Sequence, residues 1–173
     1  MRRTFNRVAI LGLGLLGGSV ALAARRAGVA RYLVGSGRRQ APLERAVANG
    51  VVDEVAGISE AVAGADLVVL ATPVGAMEAI LAEAVPALAP DARITDVGSV
   101  KGSLADRLPG LLPEGVHYVG AHPMAGSHER GVEFAVGNLF EDSCCVISPL
   151  RSTPVEARND VANDLKSKHE SAI

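Results

Sequence analysis

Residues 8–19 read Val8-Ala9-Ile10-Leu11-Gly12-Leu13-Gly14-Leu15-Leu16-Gly17-Gly18-Ser19, an apolar run that feeds a Gly-x-Gly-x-x-Gly sequence, and Val20-Ala21-Leu22-Ala23-Ala24 follows. The apolar, branched run suits a buried strand, and the small residues suit a helix packed tightly on it. Between them the glycines have separate tasks: Gly12 permits the tight turn, Gly14 lets the backbone approach a pyrophosphate, and Gly17 lets helix and strand come close. The free N–H groups and partial positive charge of the helix N-terminus then face the anion. Gly12, Leu13, Gly14, Leu15, Leu16 and Gly17 are therefore candidates to bind a dinucleotide. The fold class expected from such a start is α/β, a Rossmann-type, doubly wound, mostly parallel sheet.

The same residues also resemble a secretory leader, since Arg2 and Arg3 precede the apolar run and Ala21-Leu22-Ala23 follows it. Glycines at 12, 14, 17 and 18 would weaken the helix a leader needs, and the stretch 8–24 is short for a membrane span. The α/β pattern downstream also needs this segment as its first strand. The chain is expected to be cytoplasmic and to make no membrane contact. Its 173 residues suffice for one domain with a sizeable core. A net charge of −2 offers no electrostatic footprint for nucleic acid, so none is expected as a partner. The only two cysteines, Cys144 and Cys145, are adjacent in an apolar stretch. Strand neighbours point to opposite faces and do not easily bridge, so both are expected to be buried strand residues; no metal-ligand spacing surrounds them, and no metal is expected.

Taken in order, the first helix should end near Gly28, and 31–35 reads as the second strand. In a unit that binds NAD, an acidic residue at this strand's end accepts hydrogen bonds from the ribose 2′-OH. Here the residues are Ser36-Gly37-Arg38-Arg39, without a carboxylate. Two arginines suit a 2′-phosphate through charge-assisted, often bidentate hydrogen bonds, which favours NADP over NAD; a solvated arginine pair is the alternative. Pro42 should open a short helix through Val47 that Gly50 ends, followed by a brief extended piece at 51–55. Residues 65–73 read as a fully buried strand whose carboxyl end, at Thr72, Pro73 and Val74, faces the cofactor in such a fold. Met77, Ile80, Leu81 and Val85 then form a helical stripe that belongs to the core.

The strand at 93–97 runs into Gly98-Ser99-Val100-Lys101, and a helix carrying Leu104, Leu108, Leu111 and Leu112 follows. Ser99 and Lys101 are candidates for cofactor or substrate contact because strand ends line the ligand crevice of open α/β sheets; the alternative is a helix-capping serine and a solvated lysine. The strand at 116–121 delivers His122 at its carboxyl end, where an imidazole can serve as acid or base. His117, His128 and His169 read as structural or solvated. A last strand is expected at 144–149. Domain 1–150 would bind NAD(P), and 151–173 would be a polar tail, a short helix opened by the capping box Thr153-Pro154-Val155-Glu156.

Four motifs in fixed order, Gly12-Leu13-Gly14-Leu15-Leu16-Gly17-Gly18-Ser19, Ala71-Thr72-Pro73-Val74, Asp96-Val97-Gly98-Ser99-Val100-Lys101 and His122-Pro123-Met124-Ala125-Gly126, resemble the prephenate/arogenate (cyclohexadienyl) dehydrogenase family over roughly residues 7–150. The resemblance implies NAD(P)-dependent oxidative decarboxylation of prephenate to 4-hydroxyphenylpyruvate, or of arogenate to tyrosine, in tyrosine biosynthesis. It implies that His122 takes the proton of the substrate's ring hydroxyl and that Ser99 holds that hydroxyl and orients the histidine. Two departures stand out. Gly37 occupies a position that is acidic in relatives preferring NAD, and the family's C-terminal helical dimerisation domain, which supplies an arginine for a substrate carboxylate, has no counterpart here. Full-length relatives are homodimers. The non-catalytic alternative is a dinucleotide-binding module; another hydroxyacid-type dehydrogenase is the other enzyme that fits.

Overall fold

The computed structural model describes residues 4–149, so the expected tail helix at 151–173 lies outside the described residues. The apolar run folds as strand β1 (Phe5–Leu11), and the small residues after the glycines form α1 (Leu15–Ala27). Then come β2 (Ala30–Ser36), α2 (Gln40–Ala48), β3 (Glu54–Val55), α3 (Ile58–Val62) and β4 (Leu67–Leu70). The second half contains α4 (Val74–Ala84), β5 (Arg93–Asp96), α5 (Gly102–Arg107), β6 (His117–Pro123) and β7 (Cys145–Pro149). The sheet order is β3-β2-β1-β4-β5-β6-β7, parallel throughout except for the antiparallel β6–β7 pair.

Why the strand runs are apolar on both sides is visible in the core. Along β1, Ala9 and Leu11 enter one cluster with Val68, Leu70 and Ile94 of the sheet and with Met77 and Leu81 of α4. Val8 and Ile10 enter the other, with Val20 and Ala21 of α1 and Ala46 of α2. Helices thus cover both faces, which is what a parallel sheet requires. Ile80 and Val85 of the anticipated helical stripe are only partly buried but pack on the first cluster.

Several boundaries differ from those read in the sequence. Helix α2 begins at Gln40, two residues before Pro42, which the first turn accommodates because its N–H needs no intrahelical partner there. Residues 71–73 leave the ladder that ends at Leu70, and beyond the end of α5 Leu111 closes a 3₁₀ turn opened by Pro109, with Leu112 just after it. The short α3 carries no long periodic pattern and was not anticipated. The cysteines are the clearest correction: Cys144 is exposed and Cys145 only partly buried. They lie at the start of the antiparallel edge strand, which lacks the two-sided cover of the parallel strands, and Val146 beside them is exposed as well. Among the described residues no helix is long and apolar enough to cross a membrane.

Candidate active site

The carboxyl ends of the parallel strands share one side of the sheet. From β1 the chain winds outward to β2 and β3, then crosses back to β4 and winds the other way, so a crevice opens between the ends of β1 and β4. The glycine turn fills its floor. Gly12 has φ +110°, and a Cβ on it would lie 2.8 Å from the Ala71 carbonyl and from Thr72 Cγ2. A Cβ on Gly17 would stand 2.1 Å from the Gly12 carbonyl oxygen. Both glycines are demanded by packing of the turn and α1 against the β4 end. Gly14 differs: a Cβ there meets nothing within 4 Å, and as the N-cap of α1 it offers no side-chain cap. The first-turn N–H groups, which lack intrahelical partners in any helix, therefore open onto free space. That cradle suits a pyrophosphate.

The turn is tied to the β2 end, where the Ser36 carbonyl accepts from Gly12 N (2.9 Å) and Leu13 N (3.3 Å). Leu13 packs so closely on Gly35 that a Cβ there would be 2.2 Å from Leu13 Cδ1. Just beyond, Ser36 is buried, while Gly37, Arg38 and Arg39 are exposed, and neither guanidinium forms an ion pair among the described residues.

A cleft of about 250 Å³ lies across the crevice. Leu16 of α1 forms one wall, and Thr72, Pro73 and Val74 come from the β4 end. Ser99 follows β5, and His122 comes from the end of β6. Six candidates separated by up to 106 positions in the sequence thus share one cavity. Thr72 Oγ1 is buried without a hydrogen-bond partner, a state that an additional polar ligand atom would relieve. Ser99 precedes α5 without capping it: the N-cap position belongs to Lys101, and no side chain caps that helix.

Lys101 does not line the cleft. Its ammonium is ion-paired with Asp96, which is fully buried. Nor is it solvated, since its side chain is largely buried against that carboxylate. Asp96 also accepts from Gly98 N (2.8 Å), Tyr118 Oη (2.8 Å) and Ala121 N (3.3 Å). Burial, and then the neighbouring Asp96 carboxylate, push the Tyr118 phenol far above its ordinary range, so it stays protonated and donates. Gly120 is part of the same cluster: a Cβ there would lie 3.1 Å from Tyr118 Oη and 3.5 Å from Lys101 Cδ. Its open space is filled by these side chains and is not room for a ligand. Asp96 is the residue that reading the sequence for active groups missed, although a lone carboxylate near the end of the strand at 93–97 is the signal that would have pointed to it.

A glycine cradle at a helix N-terminus, set where a doubly wound sheet reverses its winding, defines a nucleotide-binding α/β domain. The family model for the nucleotide-binding domain of prephenate dehydrogenase matches residues 20–171, and the chain belongs to that family. It is 34% identical over 172 residues to the prephenate dehydrogenase of Bacillus subtilis (strain 168), covering 96% of this chain and 45% of that protein. The A. aeolicus prephenate dehydrogenase solved with hydroxyphenyl propionate and NAD+ superposes with a TM-score of 0.85 at 32% identity, over 92% of this chain and 56% of that one. Synechocystis arogenate dehydrogenase gives a TM-score of 0.84 at 34% identity, over 92% and 55%. The chain thus spans about half the length of the curated relatives it matches, between 41% and 52%.

Proposed function

We propose that this chain is the cofactor-binding part of an enzyme that oxidises prephenate or arogenate with NAD(P), with loss of CO2 from the ring. The observation that carries the proposal is the shared cleft: Ser99 and His122, from the ends of two neighbouring strands, stand opposite the first turn of α1. Gly12, Leu13, Gly14, Leu15, Leu16 and Gly17 would hold the dinucleotide, with Thr72, Pro73 and Val74 at the β4 end of the same crevice. Bound there, the nicotinamide supplies the hydride acceptor. His122 accepts the proton of the substrate's ring hydroxyl as the ring carbon loses hydride, and Ser99 holds that hydroxyl and orients the imidazole. Lys101, ion-paired with Asp96, acts through the loop that carries Ser99.

NADP is the preferred cofactor in this reading. The exposed Arg38 and Arg39 follow the β2 end, which is joined to the glycine turn through Ser36, and guanidinium groups suit a 2′-phosphate. The protein works in the cytoplasm on a small-molecule substrate. Calorimetry with NADP and NAD, followed by prephenate and arogenate oxidation assays on the same sample, tests the proposal. NADP binding with oxidation of either substrate by the chain, or by the chain completed with a helical domain, is the expected result. A completed protein that binds NADP and oxidises neither substrate overturns it in favour of a binding module.

A further inference from the structure

Asp96 has no solvent exposure, and its two carboxylate oxygens divide their donors by structural element. Oδ2 accepts from Gly98 N and Lys101 Nζ, which flank Ser99 in the loop after β5. Oδ1 accepts from Tyr118 Oη and Ala121 N, both on the strand that delivers His122, and Ala121 is the residue immediately before it. A buried carboxylate is costly unless paired and hydrogen-bonded, and here four donors meet it. Gly120 leaves the space in which the Tyr118 hydroxyl and the Lys101 stem converge. We infer that Asp96 is a positioning residue: one rigid group grips the Ser99 loop by one oxygen and the His122 strand by the other, and so sets the two side chains relative to each other.

The inference rests on the functional reading above for the roles of Ser99 and His122, and on geometry alone for the link between them. Its chemistry makes Asp96→Asn a sharp perturbation. The amide has one acceptor oxygen and one NH2 group, and whichever way it turns, the NH2 faces donors. Either the Gly98–Lys101 side or the Tyr118–Ala121 side loses its acceptor, and the grip on one element fails. The hydrogen bonds and ion pair of Asp96 reach Gly98, Lys101, Tyr118 and Ala121 and none goes to the glycine turn, so the cradle for the dinucleotide should be left alone.

The test uses the whole chain, with NADP as the probe. Wild type and Asp96→Asn are compared by calorimetry and by NMR of the His122 ring. The expected result is NADP affinity within a factor of a few of wild type, together with shifted and broadened His122 resonances. In a form that turns over substrate, kcat should drop by about two orders of magnitude while the KM for cofactor holds, as misplacement of reacting groups by an ångström does. Should Asp96→Asn not fold, Lys101→Met and Tyr118→Phe carry the test, since each removes one donor and leaves a backbone bond to the same oxygen. Each should shift or broaden the His122 resonances while NADP affinity holds. Wild-type His122 resonances in folded Asp96→Asn, or in both replacement variants, overturn the inference. Failure of the functional reading looks different: no oxidation of prephenate or arogenate at all, with the His122 ring still answering to Asp96.

Discussion

Gly14→Ala and Gly17→Ala place the same methyl group three residues apart in one turn, and the structure assigns them opposite consequences. At Gly17 the methyl would stand 2.1 Å from the Gly12 carbonyl oxygen and 3.0 Å from Ala71 Cβ, so α1 must move off the sheet. Overpacking of this kind costs about 1–3 kcal/mol, and for a chain of this size each kcal/mol lowers Tm by roughly 2–4 °C. At Gly14 the methyl meets nothing in the protein, and the backbone there (φ −115°, ψ −159°) is extended and open to any residue. Alanine is a poorer N-cap than glycine but stiffens the unfolded chain; the two effects offset, and stability should change by less than about 1 kcal/mol. The space it enters is where a pyrophosphate would lie. An overpacking cost of about 1–3 kcal/mol felt only in the complex lowers NADP affinity roughly 5- to 150-fold. Thermal unfolding without ligand and NADP calorimetry on both variants separate the effects. Gly14→Ala binding NADP as tightly as wild type would refute the placement of the dinucleotide in this cradle.

Gly37→Asp should move preference from NADP toward NAD, by supplying an acceptor for the 2′-OH and repelling a 2′-phosphate; the new Cβ would press on Leu43 Cδ2 at 3.2 Å, a side-chain end that yields. Dissociation constants for both cofactors check it, and an unchanged ratio counts against the arginine pair as the discriminating element. His122→Asn in a turning-over form should lower kcat by about 10² to 10⁴ while NADP affinity stays nearly constant, as measured by steady-state kinetics beside calorimetry. Tyr118 links the site to alkaline stability. Its phenol titrates far higher in the folded protein than the ordinary value near 10, so the folded state holds the proton more tightly. Its contribution is complete below about pH 10 and is lost as pH rises above that, so the urea midpoint should fall across this range less steeply in Tyr118→Phe than in wild type.

The parts of this site that follow a local rule could be read from the chain. A glycine turn between an apolar run and small residues has few structural outcomes, and the ends of parallel strands place Thr72, Ser99 and His122 on one side wherever the exact boundaries fall. What the sequence hid depends on partners far away in it. Lys101 looked solvated or ligand-facing because its partner, Asp96, looked like any strand-end carboxylate; only the register of β5 against β6 brings Tyr118 and Ala121 to the second oxygen. Cys144 and Cys145 looked buried because apolar neighbours usually mean a covered strand, and local pattern does not say which strand lies at the edge.

The reversal of winding at β1 has a consequence for how the domain holds together. Its two halves meet along the β1–β4 seam, and the turn that follows β1 lies on one side of the crevice while Ser99 and His122 lie on the other. A molecule seated across that seam is a strut between halves, and each opening of the seam costs the bound state its ligand. At a ligand concentration one hundred times its dissociation constant, such a strut adds about 2.7 kcal/mol to the folded form. The amides of β1 and β4 therefore become a gauge of occupancy: their hydrogen exchange should slow when the crevice fills.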